Sequence, residues 1–287
     1  MTSVKTDLKP VVREVPADLE TPVSAYLKLK GLGARFLLES VEMGENLGRY
    51  SFIGLDSLRT VRVFPDRLEI EEGGKVDARP LPAGDPLRAL RDLLAPLRIK
   101  HDGLPGLVGG AVGYIGYDYV RFLERLPSLK QDPLGLPLCN FVLASTLVVF
   151  DHVKHKMLLV SVGHPAPDAR LDEVARALRA PLGAEWTTPK PAGKKADFVS
   201  EFPEADYQAA VRKAKEYIAA GDIFQVVLSQ RARGELHVDP FQVYRALRIL
   251  NPSPYMFFLD FGDHQLVGSS PEIHAKLDGR EAVLRPI

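Results

Sequence analysis

The sequence is poor in cysteine, in uncompensated charge and in long apolar runs. It has one cysteine in 287 residues, so no internal disulfide can form and nothing indicates an oxidising compartment. Lys plus Arg (37) balances Asp plus Glu (37), which excludes an electrostatic bias toward nucleic acid or a membrane surface. No apolar run reaches the ~18 residues of a transmembrane helix, and the N-terminus lacks a signal-peptide core. We therefore expect a cytoplasmic protein.

The remaining composition is that of a globular protein, with 46% hydrophobic and 26% charged residues. The length suits one large domain or two ordinary ones. A run rich in Thr, Pro and Lys predicts a linker at 186–196, between a first domain at 1–185 and a second at 197–287. Cys139 stands in an apolar segment, which predicts a buried side chain and not a nucleophile.

Apolar periodicity and turn residues predict a mixture of helices and strands. Thr21 and Pro22 predict an N-cap and first position for a helix at 23–30. The other predicted helices cover 85–97, 168–179, 204–220 and 239–250, and the predicted strands cover 34–40, 49–54, 58–64, 67–71, 76–79, 140–152, 156–163, 255–261 and 264–269.

A glycine-rich stretch at 104–118 lacks the spacing and the following helix of a dinucleotide-binding fingerprint. Glycines in such a strand instead indicate places where two backbones approach closely. We predict a buried structural strand there, without a ligand role.

The stretch at 220–231 combines a helix end with an alternating pattern. Gly221 is suited to a left-handed C-cap after the 204–220 helix. Period-two alternation then predicts a strand with Phe224, Val226 and Leu228 in the core. Gln225 lies on the opposite, mostly polar face, which either meets solvent or lines a wet cavity.

Two short segments combine apolar and polar residues in a way that suits an amino-acid ligand. Leu38 precedes Glu39 and Ser40 at a predicted strand end, where a carboxylate can receive an ammonium group and a hydroxyl can hydrogen-bond either end of the ligand. The run at 251–256, Asn-Pro-Ser-Pro-Tyr-Met, is stiffened by two prolines and offers Tyr and Met surfaces to an aromatic ring. Plain surface at the strand end and an ordinary helix-to-strand turn are the alternatives.

These segments together resemble the chorismate-utilising enzymes of the anthranilate synthase component I type. The matching motifs are Leu-Leu-Glu-Ser at 37–40, Arg-Tyr-Ser-Phe-Ile-Gly at 49–54, the 220–231 stretch and the 251–256 run. The resemblance implies an α+β fold of antiparallel and mixed sheets, packed as a sandwich with flanking helices. It also implies a first domain with a regulatory site and the first part of a chorismate-binding catalytic domain at 197–287.

The resemblance implies the amination of chorismate to anthranilate and pyruvate, with feedback inhibition by tryptophan. The implied tryptophan site consists of Glu39, Ser40, Pro254, Tyr255 and Met256. Ammonia would come from a glutamine amidotransferase subunit. Magnesium would chelate the substrate and would be held by residues beyond position 287. Most of the catalytic residues would also lie beyond that position. We therefore expect this chain alone to be inactive.

Gln225 bears on the type of reaction, since it occupies the position of a lysine in relatives that add water to chorismate. A neutral amide cannot activate water as a general base, so Gln225 favours amination over hydration. Two alternatives remain open from the sequence. One is the sister enzyme aminodeoxychorismate synthase, and the other is a non-catalytic module that binds tryptophan.

Overall fold

Local signals account for most of the helices and strands of the protein. The computed structural model describes residues 6–40, 48–81, 84–95, 97–99, 103–127, 132–187 and 196–284. The helices are α1 (Pro22–Leu29), α2 (Leu87–Leu94), α3 (Pro167–Arg179), α4 (Ala184–Thr187), α5 (Glu204–Ala220) and α6 (Pro240–Leu250), with 3₁₀ turns at Lys30–Leu32 and Tyr117–Phe122. No helix among the described residues is long and apolar enough to span a membrane.

The strands pair almost entirely in the antiparallel sense. In chain order they are β1 (Thr6–Leu8), β2 (Val11–Pro16), β3 (Ala34–Glu39), β4 (Tyr50–Leu55), β5 (Arg59–Val63), β6 (Arg67–Glu72), β7 (Lys75–Pro80), β8 (Leu97–Ile99), β9 (Gly110–Ile115), β10 (Cys139–Ala144), β11 (Thr146–Asp151), β12 (Lys156–Ser161), β13 (Val199–Ser200), β14 (Ala232–Arg233), β15 (Tyr255–Asp260), β16 (Gln265–Ser270), β17 (Lys276–Asp278) and β18 (Glu281–Val283). A seven-stranded sheet has the order β16-β15-β3-β4-β11-β12-β2, and a five-stranded sheet has the order β7-β6-β5-β10-β9. Among the described pairs, only β1 and β8 run parallel.

The chain divides into two compact units, one formed by 1–184 with 244–287 and the other by 185–243. The first unit holds both large sheets, and β15 and β16 extend its seven-stranded sheet. The units therefore do not follow the boundary predicted after residue 196. Residues 188–195 of the predicted linker lie outside the described residues. The assignment of 197–287 to a catalytic domain remains a prediction.

In the first unit, the two large sheets pack face to face, as the predicted sandwich requires. One buried apolar cluster takes residues from both sheets: Val142 and Ala144 from the five-stranded sheet, and Phe36, Leu147, Val149, Val160 and Leu259 from the seven-stranded sheet. A second cluster covers the outer face of the five-stranded sheet, where α2 packs. Helices α1 and α3 contact the seven-stranded sheet. The expected α+β sandwich with flanking helices is confirmed.

The predicted strand at 140–152 is wrong in one respect, since it is two strands in two sheets. The chain bends at Ser145, so that β10 pairs with β5 and β9 while β11 pairs with β4 and β12. All side chains of β11 are buried. A continuous apolar run therefore reflects burial on both faces here and carries no mark of the change of sheet.

Helix α1 begins with the predicted N-cap, Thr21, which forms a capping box with Ser24. The backbone N–H of Ser24 donates to Oγ1 of Thr21 at 3.1 Å, and the backbone N–H of Thr21 donates to the Ser24 hydroxyl at 3.0 Å. Pro22 occupies the first turn, as predicted. These bonds satisfy backbone donors that have no partner inside the helix.

We expect Thr21→Ala to lower the free energy of unfolding by about 1 kcal/mol, because it removes this cap. Chemical denaturation of the wild type and the variant measures the effect. Thr21→Ser keeps the hydroxyl and is the matched control, with a change expected within a few tenths of a kcal/mol. Equal losses for both variants would contradict a capping role.

In the second unit, α5 and its end form as predicted, but the following strand does not. Gly221 takes a φ of +82° and caps the helix in the left-handed conformation. Residues 222–231 lack strand pairing, and Phe224 is 86% exposed. The prediction of Phe224, Val226 and Leu228 as strand core is therefore wrong. Among the described residues, 222–231 joins no strand ladder, and alternation alone does not make a strand.

Candidate functional site

Strand pairing brings together the two segments predicted to bind an amino acid. The end of β3 lies beside the start of β15, with Glu39 directly opposite Met256 in the antiparallel register. These residues are far apart in sequence and belong to the same unit. Directly opposed side chains share one face of a sheet. Glu39 and Met256 are both buried on it, with relative exposures of 5% and 1%.

Glu39 receives hydrogen bonds from two residues of α6. The hydroxyl of Tyr244 donates to Oε2 at 2.5 Å. The Arg248 guanidinium donates through Nε to Oε2 at 3.1 Å and through a terminal nitrogen to Oε1 at 3.3 Å. The Glu39 side chain is 2% exposed and that of Arg248 is 36% exposed. A buried carboxylate is thus paired with a cation that keeps part of its surface in water.

Tyr244 remains a donor throughout the accessible pH range. Burial raises the pKa of its hydroxyl strongly, and the adjacent Glu39 charge raises it further. The phenol ring also packs edge-on against Phe258, with ring centroids 6.1 Å apart. Its position is fixed by packing as well as by the hydrogen bond.

Ser40 has a buried hydroxyl group that no other described residue satisfies. Its Oγ is buried and has no hydrogen-bond partner within the described part of the chain. Residues 41–47, which follow it, lie outside the described residues. A buried hydroxyl that lacks a partner costs free energy unless water or a ligand satisfies it. Ser40 is therefore a suitable contact for a polar ligand.

The loop before β15 is tied to the neighbouring strand β16. The Ser253 hydroxyl donates to the backbone carbonyl of Ser270, and the Ser269 hydroxyl donates to that of Asn251 at 2.7 Å. Pro254 is buried and Tyr255 is partly buried. These bonds and the two prolines give a rigid wall, so Tyr255 and Met256 are held in place without a ligand.

An ion pair lies beside the start of β4, at the same end of the sheet. Arg49 donates through Nε and a terminal nitrogen to the two carboxylate oxygens of Asp151, at 3.3 and 3.0 Å. Burial raises the pKa of Asp151, but the bonds from Arg49 and the Lys154 backbone outweigh it, and the net pKa is lowered. The pair anchors the start of β4 to the end of β11.

Two other predicted residues occupy different surroundings. Gln225 is exposed on the irregular segment of the second unit, and its assignment to an active-site strand remains a prediction. Cys139 is fully buried in β10, and burial raises the pKa of its thiol to about 12. Its predicted inertness follows from that environment, since the thiolate is the reactive form.

Tyr244 and Arg248 were not identified from the sequence as site residues. Tyr244 fits the apolar stripe of the predicted 239–250 helix and raises no separate signal. Arg248 follows it by four residues, and so the two lie on one face of α6. A cation on the apolar face of a predicted helix is a signal of a buried acidic partner, because buried charges are usually paired.

A metal site does not emerge from the described residues. No group of three or more His, Cys, Asp or Glu side chains among them is placed to hold a cation.

Comparison with known proteins gives a consistent result. Residues 34–287 match the family described as chorismate binding enzyme. Anthranilate synthase component 1 from Thermus thermophilus is 47% identical over 284 residues, covering 98% of this chain and 59% of that protein. The Neisseria meningitidis serogroup B protein of the same name is 40% identical over 291 residues, covering 97% of this chain and 58% of that protein. A crystal structure of anthranilate synthase component I from Streptococcus pneumoniae superposes with a TM-score of 0.69 at 29% identity, covering 92% of this chain and 59% of that one. The chain thus spans about three fifths of the length of these relatives.

Proposed function

Since this chain belongs to the chorismate binding enzyme family, we propose that it forms the N-terminal part of an anthranilate synthase component I. The whole enzyme would convert chorismate and ammonia to anthranilate and pyruvate, the first step of tryptophan biosynthesis. The names and identities of the relatives support this product. The pairing of β3 with β15 is the structural observation that carries the proposal, because it joins the two motifs that resemble the feedback site.

The regulatory part of the proposal concerns tryptophan. The site would consist of Ser40, Pro254, Tyr255 and Met256, with Glu39 beside them. Ser40 brings a buried hydroxyl that has no hydrogen-bond partner among the described residues, and the start of β15 brings the aromatic ring of Tyr255 and the thioether of Met256. An amino acid with a flat apolar side chain matches this combination of groups.

The remaining components follow from the family resemblance. A glutamine amidotransferase subunit would supply ammonia, and magnesium would chelate chorismate through residues other than those described here. Gln225 would belong to the amination site. The single cysteine gives no support for an oxidising compartment, and we place the reaction in the cytoplasm.

We expect the whole natural protein to form anthranilate from chorismate and an ammonium salt, and tryptophan to inhibit that reaction. Anthranilate fluorescence measures the rate, and chromatography of the products distinguishes anthranilate from aminodeoxychorismate. The 287-residue chain alone should give no product. Formation of aminodeoxychorismate by the whole protein would instead identify the sister enzyme, and anthranilate from the 287-residue chain would contradict the expected inactivity.

A further inference from the structure

Glu39, Tyr244 and Arg248 connect the two segments of the proposed tryptophan site. Glu39 immediately precedes Ser40 in the chain, and Arg248 lies three residues before Asn251, where the loop begins. The bonds from Tyr244 and Arg248 therefore join the end of β3 to the middle and to the last turn of α6. The three residues form one contact between the segment that bears Ser40 and the segment that bears Tyr255.

The geometry gives Glu39 little room for a ligand. Its side chain is 2% exposed, and α6 already supplies three hydrogen bonds to its two oxygens. A carboxylate has about four acceptor positions, so most of them are filled. Phe258 lies on the same sheet face as Glu39, and Tyr244 packs on it. The carboxylate thus points at a helix that covers it.

We propose that Glu39, Tyr244 and Arg248 are positioning residues, forming a latch that sets the spacing between Ser40 and the 251–256 segment. The inference rests on the proposed tryptophan site and assigns a different role to Glu39 within it. The sequence predicted that Glu39 would receive the ligand ammonium group. In the latch, the Glu39 carboxylate instead accepts hydrogen bonds from Arg248. Glu39 then acts on the ligand only by fixing the position of Ser40.

The chemistry of the latch explains why both donors are required. An unpaired carboxylate at this depth would carry a large desolvation cost, which Arg248 compensates through two hydrogen bonds. Tyr244 adds a bond that does not titrate in the working pH range. Loss of either donor leaves an acceptor of Glu39 unsatisfied, so β3 and α6 can separate and the site loses its preorganised spacing.

Two ligands distinguish a latch from a direct ammonium contact. L-Tryptophan carries the ammonium group and indole-3-propionate lacks it, while both carry the ring and the carboxylate. Titration calorimetry on the whole natural protein gives the Kd of each. We expect each of the variants Glu39→Gln, Arg248→Gln and Tyr244→Phe to raise the Kd of both ligands by the same factor, about tenfold. A loss confined to tryptophan in Glu39→Gln would overturn the latch in favour of the direct contact.

A charge reversal gives a second, independent result. Glu39→Arg and Arg248→Glu should each raise the Kd of both ligands. The double variant should recover a substantial part of the affinity, because it restores the ion pair with the two charges exchanged. No recovery in a double variant that unfolds at the wild-type temperature would overturn the latch. If the charge-reversed variants fail to fold, the Kd values of Tyr244→Phe for the two ligands test the latch, because this variant removes only one oxygen atom.

Controls separate this inference from the proposed function. Arg88→Gln makes the same chemical change at an exposed position of α2 and should leave both affinities unchanged. A wild-type protein that binds neither ligand would contradict the proposed tryptophan site itself. Wild-type binding that none of the latch variants alters would contradict the latch alone.

Discussion

Gly113→Ala is expected to lower the free energy of unfolding by about 3 kcal/mol or more, at the upper end of the cost of overpacking. Gly113 lies in β9, opposite Phe141 of β10. A Cβ atom built on it would lie 1.9 Å from the carbonyl oxygen of Asn140 and 2.8 Å from Cα of Phe141. Both are backbone atoms of β10, which pairs with β9 on one side and β5 on the other, so neither can move aside without disturbing strand pairing.

Gly106→Ala is the matched control, because it lies in the same glycine-rich stretch with nothing within 4 Å of a Cβ and no positive φ. It should change stability by no more than about 0.5 kcal/mol, and it can stabilise through the unfolded chain. Denaturant unfolding of the two variants against the wild type measures the difference. Similar stability of Gly113→Ala and Gly106→Ala would contradict a close backbone approach as the reason for glycine at 113.

The glycine-rich stretch shows what sequence alone predicts well. The absence of a nucleotide fingerprint and the frequency of glycine predicted a strand with a close backbone neighbour, and β9 beside β10 confirms that part. The predicted burial is wrong, because β9 is the edge strand of the five-stranded sheet and its residues are partly buried or exposed. Helix starts and ends were likewise predictable, because Thr21 and Gly221 act on their own backbone within a few residues. Signals of this kind are local and need no knowledge of the fold.

Features set by distant neighbours were not predictable in the same way. The bend at Ser145 changes the sheet to which the chain belongs, yet the apolar run on both sides is continuous. The 222–231 segment has the alternation of a strand but pairs with no strand among the described residues. Strand formation depends on a neighbour to accept hydrogen bonds, and that neighbour is not encoded in the segment itself.

The candidate site also combines features that local sequence predicts with features that depend on distant residues. The types of residue in the Glu39–Ser40 and Tyr255–Met256 segments predicted amino-acid recognition, and the structure places the segments side by side. The environment of Glu39 was not predictable, since its partner Tyr244 is 205 residues away in the chain. A glutamate at a strand end is usually solvated, and only the packing of α6 against β3 makes this one a buried ion-pair partner.

Ser40→Phe in the whole natural protein is expected to raise the tryptophan concentration for half inhibition by tenfold or more, with synthase activity retained. The Ser40 hydroxyl is buried and has no hydrogen-bond partner among the described residues, so we assign it to the ligand. A phenyl ring at this position would take the place of the ligand group that contacts the hydroxyl. A tenfold change corresponds to about 1.4 kcal/mol of binding free energy. Inhibition curves with and without tryptophan, at fixed chorismate and ammonium, measure both quantities.

Ser40→Ala separates the two contributions of this residue. It removes the hydroxyl while keeping the space, so we expect a smaller loss of sensitivity, of the order of the 0.5–1.5 kcal/mol of one hydrogen bond. A ligand inhibits only through its different affinity for the active and inactive states, and so a variant that excludes it removes inhibition without removing the chemistry. Unchanged tryptophan sensitivity of Ser40→Phe would place the regulatory site elsewhere. Equal effects of Ala and Phe would assign the whole contribution to the hydroxyl and none to the space around it.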